Sequence, residues 1–211
     1  ALLSYLNGAT GAEHFRDAME TIRENYPAPA FYGAMNFLST HDTPRLLTIL
    51  GCTQSPAERA ERAQFQLSPA ERARGTALLR IAALVLYAFP GSPTVYYGDE
   101  VGMEGFEDPF NRRTYPWEHE DAALLGYFRT LGALRAARIS LQCGDISYIH
   151  AAGRVLCFAR RADDELSLCA VNTGDAPVDV SLPWDGTLAH DALSGQSFLA
   201  ESGRLALTLA P

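Results

Sequence analysis

The chain has 211 residues, 47% of them hydrophobic and 20% charged, with a formal net charge of −8. That composition belongs to a globular protein able to bury a core, arranged as one large domain or two small ones. The sequence contains no Lys, so its basic side chains are all Arg; no long basic stretch is present to neutralise phosphates, which argues against a nucleic-acid partner. The longest apolar run, Ile81–Phe89, is too short to span a bilayer, so no membrane partner is expected. The first residues, Ala1 to Leu6, already read as helix, and the N-terminus of the parent protein is expected to lie upstream, where any signal peptide would be. Cys52, Cys143, Cys157 and Cys169 have neither metal-type spacing nor a dense framework. Cys157 and Cys169 fall in apolar strand-like runs and read as buried free thiols, which favours a reducing, cytoplasmic compartment. No metal or cofactor is expected.

In chain order, Gly11–Asn25 reads as a helix with Phe15, Met19 and Ile22 on one face, ended by Tyr26-Pro-Ala-Pro29. Ala34–Leu38 is short, apolar and bounded by turn residues, which suits a parallel strand covered on both faces. Thr43 and Pro44 resemble an N-cap and first-turn proline for a short helix closed by Gly51. The hexapeptide Ser-Pro-Ala-Glu-Arg-Ala occurs at 55–60 and again at 68–73. Each copy has the pattern of a capping box and predicts a helix start, the second opening a helix from Pro69 to about Phe89. Thr94–Tyr97 follows as a second buried strand, and Asp121–Ala137 as the last long helix. The alternation implies βα units and a parallel sheet that two strands cannot close alone. Beyond about residue 140, Ile146–His150, Arg154–Arg161, Leu166–Asn172, Val178–Leu182 and Leu205–Leu209 predict short strands separated by turns, hence an antiparallel sandwich. The expected domains are therefore 1–139 and 140–211.

Three segments could carry chemistry. Ser39-Thr-His41-Asp42-Thr-Pro-Arg45 follows the first strand; in a (β/α)8 barrel the loops after the strands form the active-site face. There His41 can hydrogen-bond a sugar hydroxyl and Asp42 can sit beside a developing cation; alternatively, Asp42 and Thr43 only cap the next helix. Asp99 and Glu100 lie just past the second strand. They read either as an acid/base pair or, more commonly for such groups, as holders of loop backbone and partners of Arg. Glu107 to Trp117 offers Asp108, Arg112 and the aromatic rings of Tyr115 and Trp117, suited to fixed sugar hydroxyls and a pyranose face; the alternative is an ion pair pinning the loop over a buried Trp117. His14, His119, His150 and His190 are isolated and read as surface residues without metal-ligand spacing.

Together these segments resemble the α-amylase family, glycoside hydrolase family thirteen. Asn36-Phe-Leu-Ser-Thr-His41-Asp42-Thr-Pro-Arg45 is similar to its fourth sequence region. Phe89-Pro-Gly-Ser-Pro-Thr-Val-Tyr-Tyr-Gly-Asp99-Glu100-Val-Gly-Met103 is similar to its eighth barrel strand and following loop, and Asp108-Pro-Phe-Asn-Arg112-Arg113 with Pro116-Trp117 to the loop beyond. Leu131–Arg138 and Gly144-Asp145 look like the last barrel helix leading into the family's β-domain. The wording is closest to the neopullulanase, cyclomaltodextrinase and maltogenic amylase subgroup. The fold this implies is α/β: the C-terminal part of a (β/α)8 TIM barrel followed by an all-β antiparallel sandwich. The resemblance implies that Asp42 is a catalytic carboxylate that stabilises the transition state, and that His41 binds hydroxyls beside it. Asp108 and Arg112 would bind a glucosyl unit, with Arg45 and Met103, and also Tyr97 and Trp117, as lining or supporting residues.

A retaining glycosidase also needs a nucleophile and an acid on opposite sides of the bond. The family's Gly-x-Arg-x-Asp and Asp-x-x-x-Asn-His segments do not occur in this chain, so both groups are expected upstream of residue 1. The chain alone is then expected to be inactive and poorly stable, with strand edges and apolar faces uncovered. The implied partner is an α-glucan or malto-oligosaccharide, and the resemblance allows a homodimer of the full-length enzyme. Two other readings compete: a non-catalytic carbohydrate-binding or interaction protein on the same fold, and an all-helical metal phosphohydrolase using His41, Asp42 and His14.

Overall fold

The computed structural model describes residues Ala1–Pro211. In chain order the elements are helices α1 (Leu2–Leu6), α2 (Ala12–Asn25) and α3 (Ala28–Tyr32), strand β1 (Met35–Phe37), helices α4 (Leu46–Gly51), α5 (Arg59–Gln64) and α6 (Pro69–Ala88), strand β2 (Ser92–Thr94), helices α7 (Ala122–Ala137) and α8 (Ile139–Cys143), then strands β3 (Asp145–Ala152), β4 (Val155–Ala162), β5 (Glu165–Asn172), β6 (Val178–Pro183), β7 (Leu188–His190), β8 (Ser197–Glu201) and β9 (Arg204–Leu209). They form two compact units, one of residues 33–132 and one of residues 1–32 with 133–211. No helix is long and apolar enough to cross a membrane.

In the unit of residues 33–132, β1 and β2 pair in parallel, with Met35 opposite Ser92 and Phe37 opposite Thr94. Both strands are three residues long, and β2 begins two residues earlier than the apolar run Thr94–Tyr97 suggested. β1 is not covered on both faces: Met35 is 63% exposed and Phe37 50%. Helix α4 begins at Leu46 with Arg45 as its N-cap, so Thr43 and Pro44 precede the helix instead of opening it. Helix α6 starts as its sequence predicts. Ser68 accepts from the Glu71 amide, and the Glu71 carboxylate accepts from the Ser68 amide at 3.0 Å. The first copy of the hexapeptide does not form this box. Its helix starts later, at Arg59, has no side-chain cap and buries no residue. The difference is packing: α6 lies on α4, and α5 has no comparable apolar face to hold its first turn in place. Gly51 and Gly75 allow α4 and α6 to meet backbone to backbone, since a Cβ on Gly75 would fall 2.9 Å from the Gly51 Cα.

The other unit is an antiparallel sandwich with helices on it. One sheet has the order β3-β4-β5 and the other β6-β9-β8-β7. Between them lie Val155, Cys157 and Leu182, packed by Ile149, Leu168, Val180 and Leu207. The register puts Cys157 opposite Ala170 and Cys169 opposite Phe158, so the two thiols point to opposite faces of the sheet. Both are buried and unbridged, and burial pushes the Cys157 thiol up to about 11. The tip of the β3–β4 hairpin holds α1 and α2. Arg154 donates to the carbonyls of Tyr5 (2.7 Å), Leu6 (3.1 Å) and Thr173 (2.7 Å), and the Ala12 amide donates to the Gly153 carbonyl at 2.8 Å. The five strands expected from alternation are present; β7 and β8 were not anticipated.

Candidate active site

The loops following β1 and β2 converge. Parallel pairing puts the C-terminal ends of both strands at the same edge, so Leu38–Arg45 and Val95–Trp117 leave the sheet on one side. Beneath the surface, Asp99 joins the two loops. One of its carboxylate oxygens accepts from the Ser39 hydroxyl, the other lies 3.2 Å from the Arg45 guanidinium. Arg45 has no exposed surface; it also donates to the Tyr97 carbonyl, and its guanidinium lies 4.2 Å from the Tyr96 ring centroid and 4.6 Å from that of Tyr97. Burial holds the Asp99 carboxyl above the usual carboxylate range, with Ser39 and Arg45 pulling in the other direction. Glu100 turns back and accepts from the Gly98 amide at 2.7 Å. Of the two readings of this pair of carboxylates, the geometry matches the one in which they hold loop backbone and pair with Arg.

Arg45 and Met103, expected as lining or supporting residues, both lie beneath the surface. Ser39 and Arg45 bracket the His-Asp loop, and the only acidic partner that reaches Arg45 is the buried Asp99, so the guanidinium points into the protein. Met103 is buried too, packed under Gly98, whose φ of 88° only glycine adopts readily. The Tyr97 ring is partly exposed, and its hydroxyl donates to the Arg113 carbonyl at 2.8 Å. Trp117 is 74% exposed, not buried, and lies against Tyr115 with ring centroids 4.5 Å apart.

Above this layer His41, Asp42, Asp108 and Arg112 lie together at the surface. The His41 Nε2 is 3.3 Å from one Asp42 carboxylate oxygen, and Arg112 Nη2 is 3.6 Å from the other. Arg112 Nε also lies 3.2 Å from Asp108 and donates to the His41 carbonyl at 3.0 Å. The Asp42 side chain is 72% exposed. It caps no helix, since α4 starts beyond it at Leu46 and has no side-chain cap; the loop is closed locally by Thr43, which accepts from the Thr40 amide at 2.9 Å. Sequence reasoning passed over Asn111, whose buried amide donates to the carbonyls of His41 and Thr43, both at 2.8 Å. An Asn in a polar loop signals only a turn. No group of three or more His, Cys, Asp or Glu is placed to hold a metal ion. The metal phosphohydrolase reading also required an all-helical domain, and the chain has nine strands, with His14 on α2 in the unit that does not contain His41 and Asp42.

Parallel strands with converging loops that carry exposed carboxylate, His and Arg, followed by an antiparallel sandwich, have the layout implied by the resemblance to a barrel glycoside hydrolase. Residues 9–126 match the family model of the α-amylase catalytic domain, and residues 147–211 that of the maltogenic amylase C-terminal domain. The chain belongs to the α-amylase family of glycoside hydrolases. It is 35% identical over 201 residues to an amylopullulanase of Thermoanaerobacter thermohydrosulfuricus, which covers 88% of the chain and 13% of that protein. It is 30% identical over 214 residues to neopullulanase 2 of Thermoactinomyces vulgaris, covering 98% of the chain and 33% of the relative. Among solved structures, a cyclomaltodextrinase superposes with a TM-score of 0.78 at 25% identity, covering the whole chain and 33% of that protein. An Anoxybacillus α-amylase has the same fold, with a TM-score of 0.79 over 98% of the chain and 42% of its own. The chain thus spans between 13% and 42% of the length of these relatives.

Proposed function

We propose that this chain is the C-terminal portion of a retaining glycoside hydrolase that cleaves α-1,4 or α-1,6 glucosidic bonds of malto-oligosaccharides, starch or pullulan. Asp42 is the carboxylate that stabilises the oxocarbenium-like transition state, and His41 binds the hydroxyls beside it. Asp108 and Arg112 hold a glucosyl unit on the non-reducing side of the scissile bond. Arg45 and Met103 support the loops from below. The nucleophile and the acid belong to a part of the enzyme upstream of this chain. The observation that carries this reading is the exposed Asp42 carboxylate, which caps nothing and stands with His41, Asp108 and Arg112 over the C-terminal ends of two parallel strands. The names of the amylopullulanase and neopullulanase relatives support the α-glucan substrate. The division at residue 139 into barrel and β-domain is supported by the two family matches, 9–126 and 147–211. The compact units cut differently because α1 and α2 pack on the β3–β4 hairpin.

In the full-length product of the gene, Asp42→Asn is expected to lower kcat on maltotriose by about 100-fold or more with a small change in KM, as for loss of a charge-stabilising group. Arg112→Ala is expected to raise KM instead. Full activity of the Asp42→Asn variant would show that the His-Asp loop has no catalytic role.

A further inference from the structure

Asn111 lies between two residues with a sugar-binding assignment, Asp108 and Arg112, yet its own side chain has no exposed surface. Its Nδ2 donates to the carbonyl oxygens of His41 and Thr43, 2.8 Å from each. These are the two residues that flank Asp42 in the chain. A side-chain amide carries two N–H donors on one end and an acceptor on the other. Two carbonyl acceptors therefore fix which end faces the loop, since the reversed amide would set oxygen against two oxygens. Arg112 Nε adds a third bond to the same arch, 3.0 Å from the His41 carbonyl. The Asp42 carboxylate, by contrast, is exposed, and its own amide donates only to Thr40 Oγ1 at 3.1 Å. Besides His41 Nε2 at 3.3 Å and Arg112 Nη2 at 3.6 Å, its direction depends on the backbone either side of it, and one buried side chain pins both sides.

We propose that Asn111 is the positioning residue for Asp42: by clasping the carbonyls of His41 and Thr43 it aims the carboxylate between them. The proposal rests on the reading of Asp42 as the transition-state carboxylate. No shorter side chain carries two N–H donors on one nitrogen; Asp in the same place would present only oxygen to the two carbonyls, and Gln is a methylene too long for the buried site. A displacement of about 1 Å in such a group is enough to lower a rate about 100-fold.

The test is a double-mutant cycle in the full-length enzyme, with kcat and KM measured on an activated aryl α-maltoside so that crippled variants still give a rate. Asn111→Ala is expected to lower kcat about 10- to 100-fold while KM stays within about twofold. In the Asp42→Asn background the same change is expected to have no further effect, because a residue acting through Asp42 has nothing left to aim. An equal loss in both backgrounds, or no loss in either, overturns the positioning role. If Asn111→Ala does not fold, Asn111→Ser, which keeps one donor of the two, carries the same cycle with an intermediate loss. Failure of both variants to fold assigns Asn111 to the fold alone and overturns the proposal. Wild-type activity of Asp42→Asn by itself overturns the reading of Asp42 instead, and is seen without touching Asn111.

Discussion

Strands β1 and β4 are both apolar, but they are covered very differently. β4 is buried continuously from Val155 to Arg160, with a neighbouring strand on each side and the second sheet against one face. β1 has one neighbour and leaves Met35 and Phe37 half exposed or more. The contrast shows that β4 finds its packing partners within this chain, while β1 leaves a side open for further strands. Burying a Phe or Met side chain is worth about 1.5–3 kcal/mol, and β1 leaves much of that unused.

Truncating one ring in each strand separates β4 from β1 most strongly. Phe158→Ala in β4 is expected to destabilise by about 3–5 kcal/mol, whereas Phe37→Ala is expected to stay within about 0.5 kcal/mol in the 211-residue chain. Urea unfolding of both variants measures this, and equal losses would mean that β1 is packed as tightly as β4. Next comes the buried pair under the site. Arg45→Ala leaves Asp99 buried without its cation and is expected to destabilise by about 3–5 kcal/mol at most, read in the same way. A loss below about 1 kcal/mol would mean that Arg45 is open to solvent.

Smaller effects separate the two hexapeptides. Ser68→Ala removes a formed capping box and is expected to lose about 1 kcal/mol, while Ser55→Ala is expected to change the thermal midpoint hardly at all. The smallest effect is a pH dependence. Hydrogen bonds from the Thr53 and Ser68 hydroxyls and amides hold the Glu71 carboxyl down at about 2. A carboxyl lowered by folding stabilises the native state above its ordinary value of 4.5, and that contribution fades as pH falls from 4.5 through about 2. A carbon-detected NMR titration of Glu71 should show the low midpoint; a midpoint near 4.5 would mean that the box is frayed in solution.

Where a segment's partners lie near it in the chain or follow a simple period, the sequence was legible. Strands β3, β4, β5, β6 and β9 alternate or run apolar, and α6 announces its start with Ser68 and its end with Pro90. β7 and β8 carry no such signal: they are three and five residues long, and Leu188 and Leu199 face solvent. Of the proposed site, the surface cluster of His41, Asp42, Asp108 and Arg112 was legible as motif. It was not legible where a side chain's role depends on a distant partner. Arg45 turns inward because Asp99, 54 residues on, waits beneath it, and Asn111 reaches back 70 residues to the His41 carbonyl. Nothing in the residues around either position encodes that distance.

On the reading proposed above, this chain carries one share of a split catalytic site, the share containing Asp42. Reducing-sugar release from maltotriose and pullulan, measured side by side for the 211-residue chain and the full-length product of its gene, tests this. Release is expected from the full-length protein and none from the chain alone. Release by the isolated chain that disappears in its Asp42→Asn variant would contradict it, since the chain would then hold a complete site.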